Sequence, residues 1–142
     1  MLAKFLSNHI PAFHALNLQV ILQNPDEVRI LAPYQENHNH HQSIFGGSQA
    51  LVATLSAWSW VHLNFPKSQG NIVIATSQIK YIRPAKSDII AITKNPDTDA
   101  LRHAKTILDK KGKSKITLTC QLFCSDELVS EFIGVFVIFN HN

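Results

Sequence analysis

From Gly46 to Phe65 the chain carries no Asp, Glu, Lys or Arg, and its apolar residues are not confined to one stripe. Such a run predicts a helix covered on most sides, starting at Gly46-Gly47 and closing near Asn64 before Pro66. Ahead of it, Leu2, Phe5 and Leu6 share one face of a short helix over 2–9 that is expected to end before Pro11. Residues 15–23 and 28–32 are rich in Leu, Val and Ile around the turn Asn24-Pro25-Asp26-Glu27, the pattern of a hairpin. The polar stretch from Tyr34 to Ser43 has neither period and reads as a loop leading into the long helix.

Beyond Gly70 the apolar period shortens. Residues 71–83 and 89–93 predict strands, with Pro84 near the end of the first. Asn95-Pro96-Asp97-Thr98 supplies cap chemistry for an amphipathic helix carrying Leu101, Ala104 and Leu108, which Gly112 should close. Strict alternation over 116–124 and a final apolar run over 128–139 predict two more strands around the turn Ser125-Asp126-Glu127. The order is a hairpin, a buried helix, then mostly antiparallel strands with one inserted helix. That is a two-layer α+β domain whose sheet buries one face on the central helix.

With 142 residues, 45% apolar and 16% charged, residues 1–142 suit one domain and one core. A net charge of +3 is far from the dense basic stripe of a nucleic-acid binder, so none is expected as a partner. The uncharged run is long enough to span a bilayer. Ser48, Gln49, Thr54, Ser56, Ser59, His62 and Asn64 within it argue for a protein interior instead. Cys120 and Cys124, on one strand roughly 13 Å apart, are too distant to bridge and predict free thiols, hence a cytoplasmic setting. The N-terminal stretch is too short and too interrupted by polar residues for a secretory signal.

Element order, Pro33, Asn37, Asn39, the helix start Phe45-Gly46-Gly47-Ser48 and the strand end Tyr81-Ile82-Arg83-Pro84-Ala85 together resemble the hotdog-fold thioesterases, nearest to the YiiD C-terminal type. The resemblance implies an antiparallel sheet wrapped around a long central helix and joined edge to edge with a second subunit. It implies a dimer or tetramer, with sites at the subunit interface and an acyl chain beside the helix. The substrate class implied is acyl-CoA or an acyl-pantetheine carrier, with no cofactor. Many thioesterases of the wider group place an asparagine seven residues before the first glycine and a carboxylate seven residues after the second. Asn39, Gly46 and Gly47 match, whereas Thr54 stands at the carboxylate position; Gln42-Ser43 replaces an expected Gly-Thr, and His40 stands where an acid is common.

The residues carry chemistry of their own. Gly-Gly entering a helix leaves first-turn N–H groups unpaired and open to close approach, so a thioester carbonyl there would be polarised and its oxyanion stabilised; a tight turn alone would also explain the glycines. Asn37 and Asn39 can orient water or ligand, or hold the loop, and Ser48 lies at the same helix start. Thr54 could bond substrate or water, or return its hydroxyl to the carbonyl four residues back. Adjacent His38, His40 and His41 do not converge as metal ligands, so no metal is expected; His40 is the candidate to activate water. Arg83 and Lys86 flank Pro84 and could meet carrier phosphates, while the lysines from Lys110 to Lys115 read as solvated surface. The expected catalytic set is Asn39, Gly46, Gly47, Thr54 and His40, with Asn37, Ser48, Arg83 and Lys86 binding substrate. The activity expected is thioester hydrolysis, and the alternative is an acyl-carrier binding module without turnover.

Overall fold

A single helix, α4 (Gly46–Asn64), forms the axis on which the other elements are wound. The computed structural model describes residues 1–141. Before α4 come α1 (Leu2–His9), α2 (Pro11–Ala15), β1 (Gln19–Gln23), β2 (Glu27–Ala32) and α3 (Tyr34–Asn37). After it come β3 (Ile72–Tyr81), β4 (Ile89–Lys94), α5 (Thr98–Lys111), β5 (Lys113–Cys124) and β6 (Glu127–Phe139). The six strands form one sheet in the order β1-β2-β4-β5-β6-β3, every neighbouring pair antiparallel.

Alternation along the strands decides which side chains meet α4. Ile116, Leu118, Cys120 and Leu122 of β5 and Phe132, Phe136 and Ile138 of β6 are buried, as are Val28 and Ile30 of β2. They form one core with Val52, Ala53, Ala57, Trp60 and Val61 of α4, the antiparallel sheet around a central helix expected of a hotdog fold.

Several polar residues of α4 find protein partners, which helps the helix tolerate burial, whereas the Ser59 hydroxyl is buried without one. Ser56 Oγ lies 2.9 Å from Thr93 Oγ1 and 3.2 Å from the Ala91 carbonyl. Trp60 Nε1–H donates to Asn95 Oδ1, and Asn64 Nδ2 donates to the carbonyls of Trp60 and Pro25. Among the described residues no helix is long and apolar enough to cross a membrane.

Two local expectations need correction. The strand expected over 15–23 begins only at Gln19, because Pro11 starts a second helix at its first position instead of merely ending the first. Asn17, at φ 53, then turns the chain in the left-handed region that asparagine tolerates. Within the loop after Pro33, residues 34–37 form the short helix α3, and His38 bridges Ile44. At the other end Gly112 closes α5 at φ 72, its N–H donating to Leu108 as a glycine cap requires.

α1 lies along the outer side of α4. Phe5 stacks on His62 with centroids 4.6 Å apart, and Trp58 stacks on His62 at 5.2 Å. His62 Nδ1 is buried without a partner. Burial first, and the N-terminal ammonium second, hold the His62 pKa below its ordinary 6.5. Folding therefore favours the neutral ring, and the unfolded chain takes up the proton more readily. The stability that neutral His62 confers is fully present above pH 6.5 and declines as pH falls below it. Thermal melts across that range should show the decline in the native protein and a smaller one in His62→Phe, which keeps an aromatic ring in the stack. Equal pH slopes would remove His62 as the cause.

Candidate active site

The start of α4 sits in an open groove of about 490 Å³ lined by Ser43, Ile44, Gly46, Gly47, Gln49, Tyr81, Ile82, Arg83 and Pro84. Phe45 precedes the helix in extended conformation and offers no capping side chain. The first backbone bond of the helix runs from Gln49 N–H to the Phe45 carbonyl at 3.1 Å, so the earlier N–H groups, of Gly46, Gly47 and Ser48, gain no bond from a side-chain cap.

Three attachments hold this start in place. Tyr81, the last residue of β3, donates its hydroxyl to the Gly46 carbonyl at 2.9 Å. Gln49 is buried; its Nε2 donates to the Ile44 carbonyl at 3.3 Å and its Oε1 accepts from Ser130 of β6 at 2.6 Å. The loop itself is tied to the segment between β3 and β4 by Ile44 N–H donating to the Ala85 carbonyl at 2.7 Å. Helix start, loop and sheet therefore form one fixed wall of the groove.

Both glycines are confined by neighbours. A Cβ on Gly46 would lie 3.2 Å from the Tyr81 hydroxyl oxygen, and one on Gly47 would collide with the Phe45 ring. Phe45 is 56% exposed, so that ring has room to swing aside.

The other candidates separate by position. Asn39 Oδ1 accepts from the N–H groups of His41 and Ser43 and from the Ser43 hydroxyl, which shapes the loop beside the groove. Asn37 is only 1% exposed, and its Nδ2 donates to the carbonyls of Pro33 and Leu16, anchoring α3 to α2. Ser48 is buried in the first turn. Thr54 donates its hydroxyl to the Ala50 carbonyl at 2.7 Å, the local bond open to any helical threonine. Arg83 reaches the Leu128 carbonyl at 2.5 Å through Nη1. Lys86 and His40 are exposed, the His40 ring lying 3.9 Å from that of His41.

Cys120 is buried among the strands with its thiol pushed up to about 12, chiefly by desolvation, which makes it a poor nucleophile. Cys120 and Cys124 are both free thiols, as their spacing predicts. Another depression, of about 540 Å³, is lined by residues that include Lys80, Lys94, Thr119, Gln121 and Glu131 and by none at the start of α4. Tyr81, Gln49 and Ser130 are the groups that sequence reasoning did not assign to the site.

An antiparallel sheet wound on one helix, with a Gly-Gly helix start open to a groove, defines a hotdog-fold domain. The chain belongs to the family described as "Putative thioesterase (yiiD_Cterm)", whose model matches residues 1–140. Among solved structures it is similar to a "putative thioesterase" from Shewanella oneidensis, at 28% identity and TM-score 0.83, covering 97% of this chain and 94% of that one. A protein of unknown function from Chlorobaculum tepidum is 26% identical, with TM-score 0.91 and coverage of 99% and 93%. The phenylacetic acid degradation protein PaaI of Thermus thermophilus, at 17% identity and TM-score 0.69 over 91% of this chain and 99% of that one, shares the fold.

Proposed function

We propose that the protein hydrolyses thioesters of coenzyme A or of a pantetheine carrier, working as an oligomer of edge-paired hotdog domains. The observation that carries this reading is the helix start without a side-chain cap, held on the wall of an open groove by Tyr81 and Gln49. Water adds to the thioester carbonyl, and the oxygen that gains the negative charge lies against N–H groups of the first turn. Helix dipole and aligned donors stabilise that charge without reorganisation. The tetrahedral adduct then collapses with loss of the thiolate, which takes a proton to leave as thiol. Asn39 orients the water, and His40, on the same loop, takes its proton. Arg83 donates to carrier phosphates through the N–H groups not used on Leu128, with Lys86 beside it.

The second reading, an acyl-carrier binding module, is favoured by Thr54. It stands where many relatives of the wider group carry an acid, and its hydroxyl donates to its own helix. Thiol release from a panel of acyl-CoAs, scored beside thermal stabilisation by the same compounds, separates the two. Hydrolysis predicts thiol release that Asn39→Asp lowers, because the aspartate keeps an acceptor for the loop N–H groups and loses the amide donor. Clear stabilisation by acyl-CoA without thiol release on any chain length would establish the binding module instead.

A further inference from the structure

Along α4 the positions Gly47, Thr54 and Trp58 fall within about 40° of one another at 100° per residue, so they form a single line down one side of the helix. Ala50 and Leu51 flank that line. A second groove, of about 410 Å³, follows it: Ala50, Leu51, Thr54, Leu55 and Trp58 form one wall, and Ile10 and Ala12, at the corner between α1 and α2, form the other. Thr54 supplies the only hydroxyl there, and it donates to the Ala50 carbonyl. The groove is thus largely apolar and lies on the same side of α4 as Gly47, which lines the glycine groove.

Trp58 is fixed in place. Its Nε1–H donates to the Ile72 carbonyl at 3.0 Å, and its ring stacks on His62 at an interplanar angle of 12° and on Phe5 at 19°. A ring pinned by a hydrogen bond and two stacking partners cannot turn away to let a longer chain pass.

We infer that Trp58 is the end wall of an acyl track running from Gly47 along α4, and that it sets the longest acyl chain the protein accepts. The inference rests on the thioester reading of the helix start. From Gly47 to Trp58 the helix rises about 16 Å. Subtracting a carbon–carbon contact of about 4 Å leaves about 12 Å. An extended chain that advances about 1.2 Å per bond fills this with roughly ten carbons, the decanoyl class. Each methylene buried on the way should tighten binding about fourfold.

The test is calorimetric affinity and thiol release for saturated acyl-CoAs from acetyl to palmitoyl, on the wild type, Trp58→Ala, Trp58→Phe and Leu51→Trp. In the wild type, affinity should climb with chain length and stop climbing near decanoyl. Trp58→Ala should move that break to longer chains and Leu51→Trp to shorter ones, so the two variants oppose each other. Trp58→Phe keeps an aromatic packing surface if the alanine variant folds poorly, and should move the break by a methylene or two. Binding that climbs with length but breaks at the same chain in all variants overturns the role of Trp58 and leaves the thioester reading intact. Absence of both binding and turnover for every acyl-CoA overturns the two together.

Discussion

Gly47→Ala is expected to lower thioester turnover by about 10²-fold while moving stability by no more than about 1 kcal/mol. Gly47 does not have a positive φ, the two glycines with positive φ being Gly70 and Gly112, so alanine suits its backbone. Helix propensity alone would favour the substitution. The new methyl must displace the Phe45 ring, which costs little because that ring is largely in solvent, but methyl and displaced ring both crowd the groove at the first-turn N–H groups. A carbonyl held off by about 1 Å loses most of the polarisation on which the reaction depends. Melting temperature and kcat/KM measured on one preparation decide the matter. A large loss of stability with unchanged kinetics in the folded fraction would mean that Gly47 serves packing and not chemistry.

The double variant Thr76→Lys with Ser77→Lys is expected to separate subunits and abolish activity together. β3 closes one edge of the sheet, pairs only with β6, and at ten residues is about 34 Å long. It is nearly all exposed, including Val73 and Ile74, and its only charge is Lys80. A long, exposed, weakly charged edge is a template for pairing even with the irregularity between Ile74 and Thr76, and a second copy of the same strand is the partner the hotdog resemblance implies. Lysines at two exposed central positions place like charges against each other across a two-fold contact. Sedimentation should give twice the 15.9 kDa chain mass for the native protein and one chain mass for the variant, with turnover falling in step. A native protein that sediments as a single chain at micromolar concentration ends the proposal of edge pairing.

Much of this fold was legible because its periods are strong. Alternating burial along β5 follows residue by residue from Ile116, Leu118, Cys120 and Leu122, although the strand already begins at Lys113, and Gly46-Gly47 with Pro66 bracket α4. α2 was not legible, since a proline can end one helix or begin another and the local pattern does not choose. α3 spans only four residues, too few for a period to register. The site divided along the same line. The return of the Thr54 hydroxyl to Ala50 is a four-residue contact available to any helical threonine, and it was foreseeable. Tyr81 meeting Gly46 across 35 residues and Ser130 meeting Gln49 across 81 are products of the tertiary fold, which no local spacing encodes.

The Tyr81 hydroxyl bond carries a thermodynamic consequence. It joins the helix start, where the thioester is proposed to bind, to the last residue of the edge strand, where the second subunit is proposed to pair. Two equilibria that share one mechanical link are reciprocal: whatever factor the partner adds to ligand affinity, the ligand must add to subunit affinity. Dilution should then weaken ligand binding before any subunit unfolds, saturating acyl-CoA should hold the dimer together at lower protein concentration, and Tyr81→Phe should loosen that mutual dependence.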